Sequence, residues 1–361
     1  MGTPPGALVR GRATQLERRD LVELPVTARA WDEVVSSDPD ALVTQTRPWM
    51  RAIVRLGGWQ DASRLFETER GRILLPLARR RGTRGWTAIE ASQPHALGFG
   101  GLVAERGVSH ADVRAVLNHL RTERRLRITI RPNPRQAAAW TGFDDAWQSV
   151  SRRAQVVDLR DGVDPLWARL HANARRGVRR AERNVVIVNH TTNGDSLPEF
   201  FALMHESRER WAHASNEPVW LGRWRARADS LARWRTISDE RDGRCRVYTA
   251  MWNGTLVAAT IVLSGPNAHY TRGAMRKELA SQCSANYALH WRAITDAIAE
   301  GHEWYHLGES GTSSSLNRFK SQFAAETFEY PELRRESLPI SSTDARVRAA
   351  VKRVIRFRDP S

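Results

Sequence analysis

The sequence predicts a mixed α/β protein built from two domains in tandem. The chain has 361 residues, more than one domain of ordinary size needs, and short apolar strand-like runs alternate with longer helical ones. Hydrophobic residues make up 41% of it and fourteen are tryptophans, which is enough for a sizeable core. We expect a flexible leader over residues 1–20, a first domain over 21–150, a second over 151–330 and a C-terminal return segment with a helix over 331–361.

Short apolar runs between turn residues predict the strands of the first domain. "RLFETE" and "RILLPLARR" flank a turn at Gly71, and "TAIEA" is a further strand. The glycine-rich "LGFGGL" at 97–102 is interpreted as a turn that lines a substrate or as a simple bend. A helix over 112–120 and the strand "RLRITIRP" complete the domain.

The second domain is predicted to begin with the strand "AQVVDL" and a basic helix over 164–183. Asp164 is expected at its N-cap and Pro165 at its first helical position. A helical stretch over 197–239 follows, and then a hairpin that turns at Asn253 and Gly254. "AHYTRGAM" is the next strand, and the helix in "SANYALHWRAITDAIAEG" should stop at Gly301.

"HEWYH" at 302–306 has the H-E-x-x-H spacing of zinc proteases. That motif works on a helix, where the two histidines share one face. Here Gly301 ends the preceding helix and "EWYHL" reads as a strand, which would hold the two imidazoles about 13 Å apart. We therefore expect no metal at this motif.

The net charge of +16 and the pI near 11.1 indicate attraction to a polyanion such as RNA or to a phosphorylated substrate. An arginine-favouring coding bias is the alternative, because only three of the 56 basic residues are lysines, at positions 277, 320 and 352. A lysine retained in such a chain indicates a site where an ammonium is preferred to a guanidinium.

"NYALHWRAITDAIAEG" followed by "YHLGESGTSSSLNRFKSQF" resembles the closing segment of Fem-type aminoacyltransferases of the GNAT superfamily. The matching positions there are Tyr305, Leu307, Gly308, Phe319 and Lys320. The basic helix "HANARRGVRRAER" and "QTRPW" near the start also resemble the family. His306 replaces its usual aspartate, and Ala324 replaces a common glycine.

The resemblance implies two GNAT-like domains that move an aminoacyl group from aminoacyl-tRNA to an amine of a peptidoglycan precursor or of a small natural product. Lys320 would be the catalytic residue, stabilising charge during transfer. The donor would be held by Phe319 and by the basic-helix residues Arg175, Arg176, Arg179 and Arg180. The acceptor would be held by Arg210, against a substrate phosphate, and by Arg51, Trp49, Tyr305, His306 and Glu309.

Aminoacyl transfer requires an amine that attacks an ester carbonyl and a group that stabilises the oxyanion. A fixed ammonium in a dry cleft contributes about 3 kcal/mol to such a step. The general base stays open among Glu309, His306 and Glu326. "GESGT" at 308–312 ends in threonine, so the sequence does not support a G-x-S-x-G serine nucleophile.

Two other functions stay open. One is an acyl-CoA-dependent N-acyltransferase, although no glycine falls between Gly273 and Gly301, where such enzymes carry a pyrophosphate-binding loop. The other is a non-catalytic RNA-binding protein that uses the basic helix, with Trp211, Trp220, Trp224 and Trp234 nearby as possible stacking groups. We expect no cofactor in the leading case, with aminoacyl-tRNA as co-substrate.

The segment "STDARVRAAVKRVIRFRDP" near the end predicts a basic amphipathic helix. It would contact an anionic membrane peripherally or dock onto the first domain. No signal sequence is apparent, and we predict a cytoplasmic protein.

Overall fold

A computed structural model describes residues 21–338, apart from residues 24, 95–97, 144–145, 216–217, 241–243 and 312. The predicted leader and C-terminal amphipathic helix lie outside the described residues. The elements of the first part are β1 (Leu21–Glu23), α1 (Ala28–Ser37), α2 (Arg47–Arg55), β2 (Trp59–Asp61), β3 (Arg64–Thr68), β4 (Gly71–Leu75), β5 (Ala78–Arg80), β6 (Ile89–Ala91), β7 (Val103–Ala104), α3 (His110–Thr122) and β8 (Arg127–Ile130), with 3-10 turns at Val43–Gln45, Gly85–Thr87 and Pro134–Trp140.

The second part begins with the long strand β9. Its elements are β9 (Gln148–Asp158), α4 (Val163–Arg169), α5 (Ala172–Arg183), β10 (Ile187–Thr191), α6 (Leu197–Ser215), α7 (Val219–Ala228), α8 (Leu231–Asp239), β11 (Cys245–Trp252), β12 (Thr255–Leu263), β13 (Ala268–Met275), α9 (Lys277–Cys283), α10 (Ala285–Ala299), β14 (Trp304–Glu309), α11 (Ser314–Ser321) and β15 (Glu326–Glu336).

Several predicted elements are confirmed where a turn residue defines them. The β11–β12 hairpin turns at Asn253 and Gly254, both with positive φ, as a type I′ turn requires. Gly301 follows the end of α10 with φ +79°. His302 lies outside β14 and His306 lies within it, so the H-E-x-x-H residues do not share a helix face. Within the described residues, no three His, Cys, Asp or Glu side chains cluster as a metal site.

Two predicted elements are wrong in their continuity. "RILLPLARR" forms two strands, β4 and β5, because Pro76 between them has no N–H to donate to a sheet. The basic helix predicted as one element forms two helices, α4 and α5, which are separated at Leu170 and His171. Gly162, rather than the predicted Asp164, is the N-cap of α4. The His171 side chain caps α5 by accepting from the amide of Asn173.

The described strands form two sheets. A small antiparallel sheet has the order β1-β3-β4-β7, and a large mixed sheet has the order β10-β11-β12-β13-β14-β9-β15-β8-β6-β5-β2. β9 crosses the predicted boundary at residue 150, and together with β15 it joins strands of both predicted domains into one sheet. The domain boundaries therefore stay a prediction.

Large hydrophobic clusters cover both faces of this sheet. One packs α10 and the α4–α5 pair against β11, β12 and β14, and includes Leu289, Ile294 and Tyr305. Another packs α1, α2, α6 and α8 between the small sheet and the large one. Of the helices described, none is both long and apolar enough to cross a membrane.

Candidate functional site

The two parallel strands β13 and β14 pair over a very short length. Their register includes only Ala268 with Tyr305 and His269 with His306, after which the pairing stops. A cavity of about 290 Å³ lies beyond this point, near the lower bound for small-molecule sites. It is lined by Gly98, Phe99, Arg131, His269, Tyr270, Thr271, Arg272, Leu307, Gly308, Glu309, Gly311 and Lys320. Both predicted domains therefore contribute to its wall.

Lys320 presents a buried cation to this cavity. It lies on α11, whose N-cap Ser313 accepts from the amide of Leu316, and the side chain is only 2% exposed. Its Nζ donates to the main-chain oxygens of Glu309 at 2.7 Å and of Gly308 at 3.4 Å. Burial lowers the pKa of Lys320 to about 8, although the Glu309 carboxylate opposes this change. Two acceptors leave one of its three N–H groups for a ligand.

The carboxylate of Glu309 is held in place by Tyr330 on β15 and by Arg131, directly after β8. It accepts a hydrogen bond from the hydroxyl of Tyr330, and its other oxygen lies 4.0 Å from Arg131 Nη1. Burial raises the pKa of Tyr330 well above its usual range, and the Glu309 carboxylate adds to this effect. Tyr330 therefore stays protonated and acts as the donor. Arg131 in turn donates to Glu332 at 3.0 and 3.1 Å.

His269 lines the same cavity as a neutral imidazole. Its ring stacks on Phe99 with centroids 5.3 Å apart and is 2% exposed. Burial, with the nearby Lys320 charge, lowers the pKa of His269 to about 3. Its Nδ1 is buried and has no hydrogen-bond partner among the described residues. A Cβ on Gly98 would lie 2.6 Å from the ring Cε1, so the glycine permits the ring to occupy this place.

Arg272, on β13, adds positive charge to the wall of the cavity. Its Nε lies 3.0 Å from Asp229, which also accepts from Arg208 at 2.9 Å. Burial raises the pKa of Asp229, but Arg272 and the other donors outweigh burial and hold the pKa below its usual value. One ionised carboxylate shared by two guanidinium groups leaves this wall with excess positive charge.

Some predicted acceptor-binding residues do not reach the cavity. Trp49 is a core residue, 2% exposed, and Tyr305 and His306 are fully buried on β14. None of these three is among the residues that line the cavity, so their role in acceptor binding stays a prediction. His306 has no hydrogen-bond partner on either ring nitrogen within the described residues, and burial lowers its pKa well below the usual value.

Two predicted arginines also lie apart from the cavity lining. Arg51 pairs with Glu240 at 3.1 Å on the outer side of α2. Arg210, on α6, donates to the main-chain oxygen of Met275 at 2.9 Å, three residues along β13 from Arg272. Of the predicted acceptor residues, Glu309 alone is among the cavity residues.

The predicted donor-binding residues lie on α11 and α5, and none of them is among the residues that line the cavity. Phe319 packs against Tyr287 and His290, with centroids 5.2 and 5.3 Å apart, and α5 approaches Tyr287 through Gly177. The side chains of Arg176, Arg179 and Arg180 are exposed on α5. Arg175 differs from them, because it donates to the carbonyls of Ala168 and Leu170 and so closes the end of α4.

Sequence reasoning missed several cavity residues. Arg131 and the β13 residues His269 and Arg272 line the cavity, and Tyr330 on β15 holds Glu309 beside it. These residues come from three separate places in the chain, and only the pairing of the strands brings them together. The turn "LGFGGL" did carry a signal, and its Gly98 and Phe99 line the cavity.

A larger cavity of about 600 Å³ lies elsewhere, between α1, the start of α2 and the β12–β13 turn. Its most buried carboxylate is Asp38, and burial raises the pKa of Asp38 to about 6. Both Asp38 oxygens already accept main-chain amides, from Asp40 and Ala104. We therefore interpret this carboxylate as part of loop structure.

Residues 168–321 match the acetyltransferase (GNAT) domain family. The crystal structure of FemX is similar to this chain, with a TM-score of 0.62 and 13% sequence identity. The match covers 85% of this chain and 96% of the FemX chain. A tandem GNAT protein from the clavulanic acid biosynthesis pathway is similar over 87% of this chain and 98% of its own, with a TM-score of 0.44 and 15% identity. No curated protein sequence matches the chain. The predicted mixed α/β fold class is confirmed, with a GNAT domain over residues 168–321, and so is the Fem-type resemblance at the level of the fold. The arrangement of two such domains in tandem stays a prediction.

Proposed function

We propose that this chain, which has the FemX fold and a GNAT domain over residues 168–321, transfers an aminoacyl group from aminoacyl-tRNA to an amine and forms an amide bond. The observation that carries the proposal is the buried ammonium of Lys320 at the cavity between β13 and β14. The acceptor amine would belong to a peptidoglycan precursor or to a small natural product.

The chemistry follows from the groups around the cavity. The amine nitrogen forms a bond to the ester carbonyl carbon, and the carbonyl oxygen becomes an oxyanion. The remaining N–H of Lys320 stabilises this oxyanion, because a cation in a dry site interacts more strongly than one in water. The ester C–O bond then breaks, and the proton lost by the amine passes to the departing ribose oxygen.

We assign the relay of that proton to His269, which, with a pKa of about 3, releases the proton as it accepts it rather than storing it. It is neutral and lies on the cavity wall beside Gly308, whose carbonyl also accepts from Lys320. A Cβ at Gly308 would lie 3.7 Å from Nε2 of His269, so this nitrogen faces the end of β14. A neutral imidazole accepts a proton from one group and returns it to another. Glu309 is less suited, because it is already hydrogen-bonded to Tyr330.

The segment after β13 favours aminoacyl-tRNA over acyl-CoA as the donor. There α9 begins at Lys277 with Arg276 at its N-cap, and no glycine loop is present to hold a pyrophosphate. The exposed arginines of α5 provide charge for RNA phosphates next to Phe319. An acyl-CoA donor is the alternative.

The test supplies total tRNA charged with labelled amino acids, and in parallel labelled acetyl-CoA, together with a peptidoglycan precursor peptide or a polyamine as acceptor. We expect label from aminoacyl-tRNA in a product that resists alkali, because an amide survives conditions that hydrolyse the ester. Label from acetyl-CoA alone would replace the proposal with the alternative. Binding of tRNA with no transfer, unaffected by Lys320→Ala, would indicate an RNA-binding protein.

A further inference from the structure

Three chain segments meet at the end of β8 that is remote from the cavity. The amides of Leu126 and Arg127 both donate to the carbonyl of Ala88, at 3.0 and 3.2 Å, and the amide of Ser337 donates to the carbonyl of Leu126 at 3.0 Å. The β5–β6 loop, the α3–β8 loop and the end of β15 therefore lie side by side. Arg131, on the cavity wall, is about 17 Å away along β8 by the strand rise.

Large apolar side chains are exposed on this surface. Trp86, in the 3-10 turn of the β5–β6 loop, is 66% exposed, and Leu338, directly after Ser337, is 56% exposed. The turn is internally closed, since the amide of Arg84 donates to Thr87 Oγ1 and that hydroxyl donates back to the Arg84 carbonyl. Trp86 is thus presented to solvent by a defined turn.

Arginines surround these apolar groups. Arg80, Arg81, Arg84 and Arg124 are exposed, and none of the four has an ion-pair partner within the described residues. The nearby acids are already engaged, since Glu90 and Glu123 pair with Arg64 and with Arg125. We call Arg80, Arg81, Arg84, Trp86, Arg124 and Leu338 the Trp86 surface. It combines an exposed indole and an exposed leucine with uncompensated positive charge.

We propose that the Trp86 surface docks on an anionic lipid bilayer. Indoles favour the membrane–water interface, and each arginine near an anionic leaflet adds attraction. A bilayer explains the exposed leucine together with the charge, whereas RNA would use the arginines and the indole but not Leu338. Docking here is independent of the proposed transfer reaction, and it leaves the cavity at the far end of β8.

The test uses the full chain and sedimentation with vesicles of phosphatidylcholine, with and without phosphatidylglycerol, across a salt series. We expect binding only to the anionic vesicles, weakening as salt rises. Trp86→Ala should lower the partition coefficient by about tenfold, which is the effect of no longer burying a large aromatic side chain. Trp220→Ala, at an exposed tryptophan of α7, is the matched control and should leave binding unchanged.

A second pair of variants tests the charge. Arg80→Gln with Arg84→Gln should weaken binding by about 25-fold, at roughly fivefold per arginine. Lys352→Gln with Arg353→Gln removes the same charge from the C-terminal segment and should have little effect. Equal losses in the two pairs, or binding that Trp86→Ala leaves intact, would overturn the proposal. A third result would also overturn it. The chain would fail to sediment with anionic vesicles, and substitutions in the Trp86 surface would instead abolish tRNA binding.

Discussion

The Nζ of Lys320 donates to the main-chain oxygen of Glu309 at 2.7 Å, and this bond holds a charged side chain against the end of β14. The carboxylate of the same residue is turned to Tyr330 and Arg131. Glu309 therefore positions the lysine through its backbone while its side chain increases the lysine's affinity for a proton. The site therefore keeps Lys320 as an ammonium although burial lowers its pKa.

Replacing Lys320 with methionine should slow transfer and stabilise the fold. The rate should fall about 10²- to 10³-fold, as for the loss of one oxyanion donor. The drop in pKa from 10.5 to about 8 corresponds to roughly 3 kcal/mol spent on burying the charge, and the two lost hydrogen bonds offset only part of it. Melting temperature and single-turnover rate measure the two effects. Lys277→Met, at an exposed lysine of α9, should change neither. A destabilised Lys320→Met would show that the ammonium contributes net stability.

The transfer rate should fall as pH rises through about 8, because Lys320 then loses its proton and can no longer stabilise an oxyanion. Stability should respond in the opposite sense. Between about pH 8 and 10.5 the unfolded chain holds a proton at this lysine that the folded chain has released, so the free energy of unfolding rises with pH. The advantage of Lys320→Met over the natural chain should therefore shrink across this window. A rate that instead increases above pH 8 would indicate that the neutral amine acts as a base.

The elements that sequence patterns predicted correctly are those defined by local chemistry. Asn253 and Gly254 specify a turn by their tolerance of positive φ, and Gly301 ends a helix for the same reason. Ala324 shows the limit of this reasoning. It stands where the resembling family commonly has glycine, and it does adopt a positive φ of +57°, although alanine is not favoured there.

The cavity could be predicted only in part, because its walls depend on strand pairing. Lys320, Glu309 and the "LGFGGL" turn carried a motif or a composition signal. His269 and His306 are paired in register and their rings lie 6.1 Å apart on one face of the sheet, yet only His269 is among the residues that line the cavity. The sequence therefore carried no signal for His269, and the acceptor-binding role of His306 stays a prediction.

Glu309→Gln should move the alkaline limit of activity to lower pH. The Glu309 carboxylate raises the pKa of Lys320 against the effect of burial, so a neutral amide leaves burial less opposed. The glutamine oxygen still accepts from Tyr330, and the main-chain bond to Lys320 is unchanged. Glu329→Gln, at an exposed carboxylate paired with Arg153, is the control and should leave the pH profile in place. An unshifted profile for Glu309→Gln would exclude this carboxylate as a determinant of the lysine's pKa.

His269→Phe should lower the turnover number by about 10²-fold, the low end for loss of a group that moves a proton. Phenylalanine keeps the ring that stacks on Phe99, so packing and KM should change little. His269→Gln restores a hydrogen-bonding group without imidazole chemistry and should leave the turnover number as low as it is in His269→Phe. If both variants react at the natural rate, the amine's proton leaves by another route, for example through solvent or a substrate oxygen.

Gly98→Ala should impair the site through His269, and Gly82→Ala distinguishes this from a backbone effect. Both glycines have similar positive φ, +86° and +78°, so alanine carries a comparable conformational cost of about 1 kcal/mol at either position. They differ in their surroundings. A Cβ at Gly98 would lie 2.6 Å from His269 and 2.9 Å from Thr44, whereas nothing lies within 4 Å at Gly82. We expect both variants to melt at lower temperature, with the larger decrease and a loss of transfer only for Gly98→Ala. Equal effects on transfer would mean that the ring position of His269 does not limit the reaction.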